Sequence, residues 1–373
     1  MTDLLAYGFP QEFLPPEGSP ALPARVTAVF KERFQLMTQE GEHYGRLKTK
    51  EYLYDGGRKF PTTGDYVLAL PAAGDWQIVE TLPRRSFFSR IDSWHGTEQA
   101  VAANMDVVFA VQSLNENFSP KRLERYLTLS WNSGARPVVL LTKLDLPGDH
   151  GEQIATARKT AGKVPVVALS AKTGEGMDRL LPYLAPGTTA AFLGSSGVGK
   201  SSLINRLWED SFSAAQPGSA EETASPPGIP RERMATGSVR EKDGMGRHTT
   251  THRQLLRLPS GVLLIDTPGM RELGMWDSLD GLSEAFPDVE QYLGQCRFSD
   301  CRHENEPGCA VRAALASGEL DPGRWESYKV LNWESRHSHH LSTVRMKQGQ
   351  PSKALAKARR QEKKYRKNFS EPY

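Results

Sequence analysis

Cysteine is scarce in this chain of 373 residues: Cys296, Cys301 and Cys309 are all it has. All three fall within one window of 14 residues. An odd, clustered set argues against a disulfide framework and for a metal site. Long apolar runs are also missing. The longest, such as 137–141 or 262–265, fall far short of the roughly 20 residues that span a bilayer. The start of the chain, Met-Thr-Asp-Leu-Leu-Ala-Tyr-Gly, lacks a basic segment followed by an apolar core. A secretion signal is therefore not expected, and a cytoplasmic, non-membrane, monomeric protein is.

Charge is unevenly spread. The formal net charge is only +3, yet residues 345–367 hold ten Lys or Arg against the single acidic Glu362. The body is therefore mildly acidic and the tail strongly basic, the footprint of a polyanion partner.

The texture of the sequence divides the chain. Residues 1–21, rich in Pro, Gly and Glu, read as a flexible N-terminal arm. Five short apolar stretches within 22–90, separated by Gly, Asp or Pro, predict a small β-barrel of OB or SH3-like type. Over 91–277, β-branched runs alternate with helix-length segments, which predicts a parallel sheet with covering helices. A Ser/Ala/Pro/Glu-rich stretch at about 211–230 reads as a disordered insertion. Residues 278–343 look helical around the cysteines, and 344–373 form the basic tail. The fold class expected is multidomain α/β: a barrel, a central P-loop domain and a mostly helical metal-binding domain.

The sharpest motif is Gly194-Ser195-Ser196-Gly197-Val198-Gly199-Lys200-Ser201. It follows an apolar strand-like run and opens a helix at Ser202, the context a phosphate-binding loop requires. Its glycines let backbone N–H groups converge on phosphate. Lys200 would reach the β- and γ-phosphates, and Ser201 would bind Mg²⁺. Asp266, at the end of a buried run and followed by Thr267-Pro268-Gly269, suits the second Mg²⁺-side anchor. Gly269 would bring a backbone N–H to the γ-phosphate.

Two further strand ends read the base. In Thr142-Lys143-Leu144-Asp145, the carboxylate accepts from guanine N1–H and its N2 amino group, a donor pair that adenine lacks. Ser170-Ala171-Lys172 follows another strand and offers a backbone N–H to guanine O6. Between the phosphate loop and Asp266, Thr250 is the residue expected to close over Mg²⁺ as a γ-phosphate sensor. Met270 stands where a water-orienting Gln is often found, so slow intrinsic turnover is expected, with His248 as the candidate to orient water and Arg247 able to stabilise transition-state charge.

The base-reading motifs precede the phosphate loop, so the order is circularly permuted, as if the sheet were cut between its third and fourth strands. With Gly246-Arg247-His248-Thr249-Thr250-Thr251, this series resembles the circularly permuted ribosome small-subunit-dependent GTPase A family (RsgA, also called YjeQ). The resemblance covers about residues 22–340. It implies an OB-fold barrel, GTP hydrolysis stimulated by the small ribosomal subunit, rRNA contact and a role in late subunit maturation, with His248 in catalysis. Cys296, Cys301, His303 and Cys309 make a closed three-thiolate, one-imidazole set, the composition of one structural Zn²⁺ site. Two other readings are a GTP-gated binding switch for a protein or membrane partner, with zinc only structural, and a P-loop ATPase, which Asp145 disfavours.

Overall fold

The computed structural model describes residues 4–30, 33–48, 60–91, 98–215, 254–266 and 279–347. Strands β1 (Leu22–Val29), β2 (Phe34–Thr38), β3 (Gly41–Leu47), β4 (Tyr66–Leu70) and β5 (Trp76–Thr81) pair in the order β1-β2-β3-β5-β4 and back to β1. This closure, with β3 and β5 parallel, is the five-stranded barrel of OB type. Ala24, Val26, Leu36, Val67, Ala69, Trp76 and Ile78 fill it. A hairpin of β6 (Phe87–Ile91) and β7 (Glu98–Ala103) follows as a sheet of its own, and the boundary expected at residue 90 falls inside it.

The central domain runs β8 (Val107–Ser113), α1 (Pro120–Asn132), β9 (Arg136–Thr142), α2 (Gly151–Ala161), β10 (Val166–Ala168), β11 (Thr189–Leu193), α3 (Lys200–Ala215), β12 (Gln254–Arg257) and β13 (Leu263–Asp266). Its strands lie in the order β10-β9-β8-β11-β13-β12. All pair in parallel except β12, which is antiparallel to β13. Every residue of β8 is buried, as expected of a strand covered on both faces. Val108 and Ala110 face the layer containing Leu123 and Leu127 of α1. Val107, Phe109 and Val111 face the layer containing Ile204 and Leu207 of α3. Counted from β11, the sheet's third strand is β13 and its fourth is β8, so the chain break falls where the motif order put it. Edge strand β12 meets the barrel at Ala28 opposite Gln254, joining both sheets.

Helices α4 (Leu279–Ala285), α5 (Pro287–Glu290), α6 (Ala310–Ser317) and α7 (Pro322–Lys347) complete the C-terminal part. Helix α4 crosses α1 so closely that a Cβ on Gly281 would lie 2.3 Å from the Thr128 carbonyl oxygen. Only glycine allows that approach.

Three of the expected segments can be set beside the described structure. The N-terminal arm is not loose where described: Leu4 and Phe9 are buried, and the Tyr7 carbonyl accepts from Arg25. Apolar residues among the prolines explain the docking. The insertion expected from residue 211 begins later, because α3 continues to Ala215, with Ser211 buried. Helix α7 runs to Lys347, past the boundary expected at 343. The tail from 348 and insertion residues 216–230 lie outside the described residues.

Candidate active site and metal centre

The phosphate loop leaves β11 at the C-terminal edge of the sheet and enters α3 at Lys200. Gly197 and Gly199 take φ values of 77° and 95°, in the left-handed region that glycine occupies without penalty. The Lys200 ammonium donates to the Gly194 and Ser195 carbonyls at 2.6 and 2.8 Å. Ser201 and Ser202 lie in the first turn of α3, where backbone N–H groups lack helical acceptors. Ser196 is exposed and Val198 is buried beneath the loop.

Thr142 ends β9 and is 2% exposed. Its hydroxyl donates to the Val198 carbonyl and is 3.2 Å from the Gln112 carbonyl. The end of β9 is thereby tied to the loop that follows β11. Lys143 adopts a left-handed φ of 63°, uncommon for a non-glycine residue. The following turn brings Asp145 to Ser170, whose hydroxyl donates to Asp145 Oδ1 at 2.6 Å. That hydroxyl also accepts from the Lys172 and Thr173 N–H groups at 3.2 and 3.1 Å, which wraps the Ala171–Lys172 loop around it. Asp145, Ser170 and the phosphate loop therefore sit at one edge of the sheet. The backbone of Asp266 ends β13, the other neighbour of β11. His248, Thr250 and Gly269 lie outside the described residues.

The sequence reading missed Asn117 and Arg122. Asn117 approaches Ser195 from the turn between β8 and α1, and Arg122 from the first turn of α1. The available signal was Ser119-Pro120, the cap and first residue of α1, which fixes Arg122 in that helix's first turn.

Cys296, Cys301, His303 and Cys309 place their ligand atoms within 4.8 Å of one another. Cys296 Sγ is 3.4 Å from His303 Nδ1 and 3.9 Å from Cys309 Sγ, and Cys309 Sγ is 3.5 Å from the same nitrogen. A tetrahedral ion with about 2.3 Å to sulfur and 2.0–2.1 Å to nitrogen has edges of about 3.6–3.8 Å. The cluster fits one metal ion. Burial, then the neighbouring thiols, push the Cys301 thiol up to about 11. His303 has a φ of 62°. Its loop is shaped by Glu306, whose carboxylate accepts from the N–H groups of Arg302, Glu304 and Asn305 at 2.9–3.0 Å. Those bonds, Arg302's first, hold the Glu306 carboxyl down at about 2.

The model of the RsgA GTPase family matches residues 81–276. The chain belongs to that family. It is 40% identical over 312 residues to the small ribosomal subunit biogenesis GTPase RsgA 2 of Lactiplantibacillus plantarum, covering 83% of this chain and 82% of that one. It is 45% identical over 280 residues to the RsgA of Xylella fastidiosa, covering 73% and 76%. The crystal structure of YjeQ from Thermotoga maritima is similar at 25% identity and a TM-score of 0.58, over 86% of this chain and 98% of that one. YloQ, described as a circularly permuted GTPase, shares the fold with a TM-score of 0.55 at 19% identity, over 88% and 98%. As an RsgA GTPase the chain is a GTP hydrolase. Among the described residues no helix is long and apolar enough to cross a membrane.

Proposed function

We propose that this GTPase is a late-stage assembly factor of the small ribosomal subunit that binds rRNA and is stimulated by the subunit. The relatives are named for small-subunit biogenesis. The barrel, the Cys₃His cluster and the basic tail supply three surfaces or segments suited to an RNA-rich partner. The observation that carries the GTP reading is the 2.6 Å contact of Ser170 with Asp145, between the turns that follow β10 and β9, while Thr142 at the end of β9 bonds the Val198 carbonyl of the phosphate loop.

In this reading the backbone of Gly194, Ser195, Ser196, Gly197, Val198 and Gly199 cradles phosphate, and Ser202 continues the helix start. Lys200 moves from the loop carbonyls to the β- and γ-phosphates. Ser201, Thr250 and Asp266 hold Mg²⁺, which offsets phosphate charge. Asp145 reads the guanine edge, Lys143 packs its stem on the base, Ala171 and Lys172 close over O6, and Gly269 meets the γ-phosphate. His248 orients the attacking water, with the subunit supplying what Met270 does not. Cys296, Cys301, His303 and Cys309 hold one structural Zn²⁺. The working division is a barrel to residue 90, a GTPase domain to 277, a zinc domain to 343 and a basic tail, in a cytoplasmic monomer.

The test is the rate of GTP and ATP hydrolysis with and without purified small subunits. GTP-selective turnover raised at least about tenfold by small but not large subunits, about 1.4 kcal/mol of barrier lowering, supports the proposal. Turnover indifferent to ribosomes would sink the assembly role and leave a GTP-gated switch for another partner.

A further inference from the structure

Arg122 sits in the first turn of α1, with its N–H capped by the Ser119 hydroxyl at 3.4 Å. Its guanidinium is half-buried, and Nη1 alone is 3.3 Å from Ser195 Oγ, 2.9 Å from Asn117 Oδ1 and 3.2 Å from the Asn117 carbonyl oxygen. Asn117 Nδ2 donates to the same Ser195 oxygen at 3.3 Å. Asn117 is itself seated by Asn115, which accepts from its N–H at 3.1 Å and from the Ser113 hydroxyl at 2.7 Å. The turn after β8 is thus a relay that ends on the second residue of the phosphate loop.

We propose that Arg122, with Asn117, is a positioning residue for GTP hydrolysis that presets Ser195 and the loop around it for the γ-phosphate. The proposal rests on the reading of Gly194–Ser202 as the phosphate cradle.

Three observations carry it. Ser195 is gripped at both ends: its carbonyl by Lys200 at 2.8 Å and its hydroxyl by Arg122 and Asn117. When Lys200 turns to phosphate it leaves that carbonyl, and the hydroxyl anchors remain to hold the loop. Second, Ser195 Oγ receives two donors, which engages both its lone pairs and leaves its hydrogen as the capacity still to be spent. A hydroxyl locked as a donor suits a site built for phosphate oxygens. Third, every acceptor of Arg122 is neutral, and among the described residues no carboxylate pairs with it. A half-buried cation beside a phosphate loop without an acidic partner adds positive potential where the nucleotide's charge arrives. Capping α1 requires none of this, because Ser119 does it alone.

The test uses the full chain, with steady-state GTP hydrolysis and GDP binding for Arg122→Ala, Arg122→Lys, Ser195→Ala and the Arg122→Ala/Ser195→Ala double variant. Arg122→Ala is expected to lower kcat at least about fivefold, while KM for GTP and the Kd for GDP move less than about twofold. Arg122→Lys should recover part of the loss. Ser195→Ala should reproduce it, and the double variant should be little worse than either single one, because they share one contact. If Arg122→Ala does not fold, Ser195→Ala carries the same readout without touching α1. A kcat within twofold of the parent, or effects that add fully in the double variant, overturns the clamp. Lys200→Ala separates the two failures: parental hydrolysis there defeats the phosphate-loop reading itself, whereas its loss beside a neutral Arg122→Ala defeats only the clamp.

Discussion

Asp145 and Ser170 lie 25 residues apart in sequence and meet through a 2.6 Å hydrogen bond from hydroxyl to carboxylate. The bond fixes one carboxylate oxygen, and the Ser170 oxygen is itself held by two backbone N–H groups. The carboxylate is therefore presented in one orientation, as selection between two purines requires.

Asp145→Asn replaces one acceptor with a donor and leaves a guanine N–H unpaired. The expected loss is about 10- to 100-fold in GTP affinity, about 1.4–2.7 kcal/mol, with weak ATP binding unchanged. Competition between GTP and ATP for the purified variant measures it. Equal losses for both nucleotides would mean that Asp145 shapes the fold rather than reads the base.

The parts legible in the sequence are those that glycine, buried runs and ligand spacing dictate. The loop at Gly194 to Ser201, the segments at Thr142 and Ser170 that follow buried runs, and the Cys₃His cluster each carry a local signature. The five barrel strands were visible as separate apolar stretches, but their closure depends on pairings such as Gly45 with Trp76, which no local pattern encodes. Arg122 looked like an ordinary helix residue, because its target Ser195 lies 73 residues away. Gln254–Arg257 was missed as a strand because its pairing comes from β13 and from the barrel, not from its own four residues.

Glu306 bonds three backbone N–H groups around His303. Glu306→Gln removes the charge that makes those bonds strong and is expected to speed metal release to a chromophoric chelator several-fold. Chelation of the parent should unfold the 296–309 loop. The Glu306 carboxyl is depressed in the fold, to about 2 from an ordinary 4.5. Its contribution is therefore complete above about pH 4.5 and lost as pH falls toward 2. Identical release from parent and variant at neutral pH would deny Glu306 its role.

Arg324 joins the C-terminal helices to the GTPase domain. It bonds Glu124 of α1 at 2.9 Å and Asp288 at 2.9 Å, and lies 4.0 Å over the Phe286 ring. Glu124 is 6% exposed, so Arg324→Ala strands a buried carboxylate. The expected cost is about 3–5 kcal/mol, read by denaturant unfolding of the full chain. Because α1 also carries Arg122, the same variant should lower kcat. Glu124→Gln paired with Arg324→Met, which removes both charges, should recover most of the stability.

Arg25 is fully buried in β1, and its partners are the carbonyls of Tyr7, Gly64 and Asn104 and the Thr189 hydroxyl. One guanidinium thus ties the N-terminal arm, the barrel and the start of β11. Burial pulls its pKa below the usual arginine value, and those acceptors offset the desolvation. Arg25→Met keeps the volume and removes the donors, leaving four acceptors without their partner. The expected destabilisation is about 2–5 kcal/mol, and residues 4–14 should gain hydrogen exchange before the barrel does. Because Thr189 opens the strand that leads to the phosphate loop at its other end, the nucleotide site should keep its GTP affinity in molecules that remain folded. If residues 4–14 exchange as slowly in the variant as in the parent, the arm is held by Leu4, Phe9 and the Tyr66 hydroxyl on the Gly8 carbonyl without Arg25, which then joins only the barrel to the sheet.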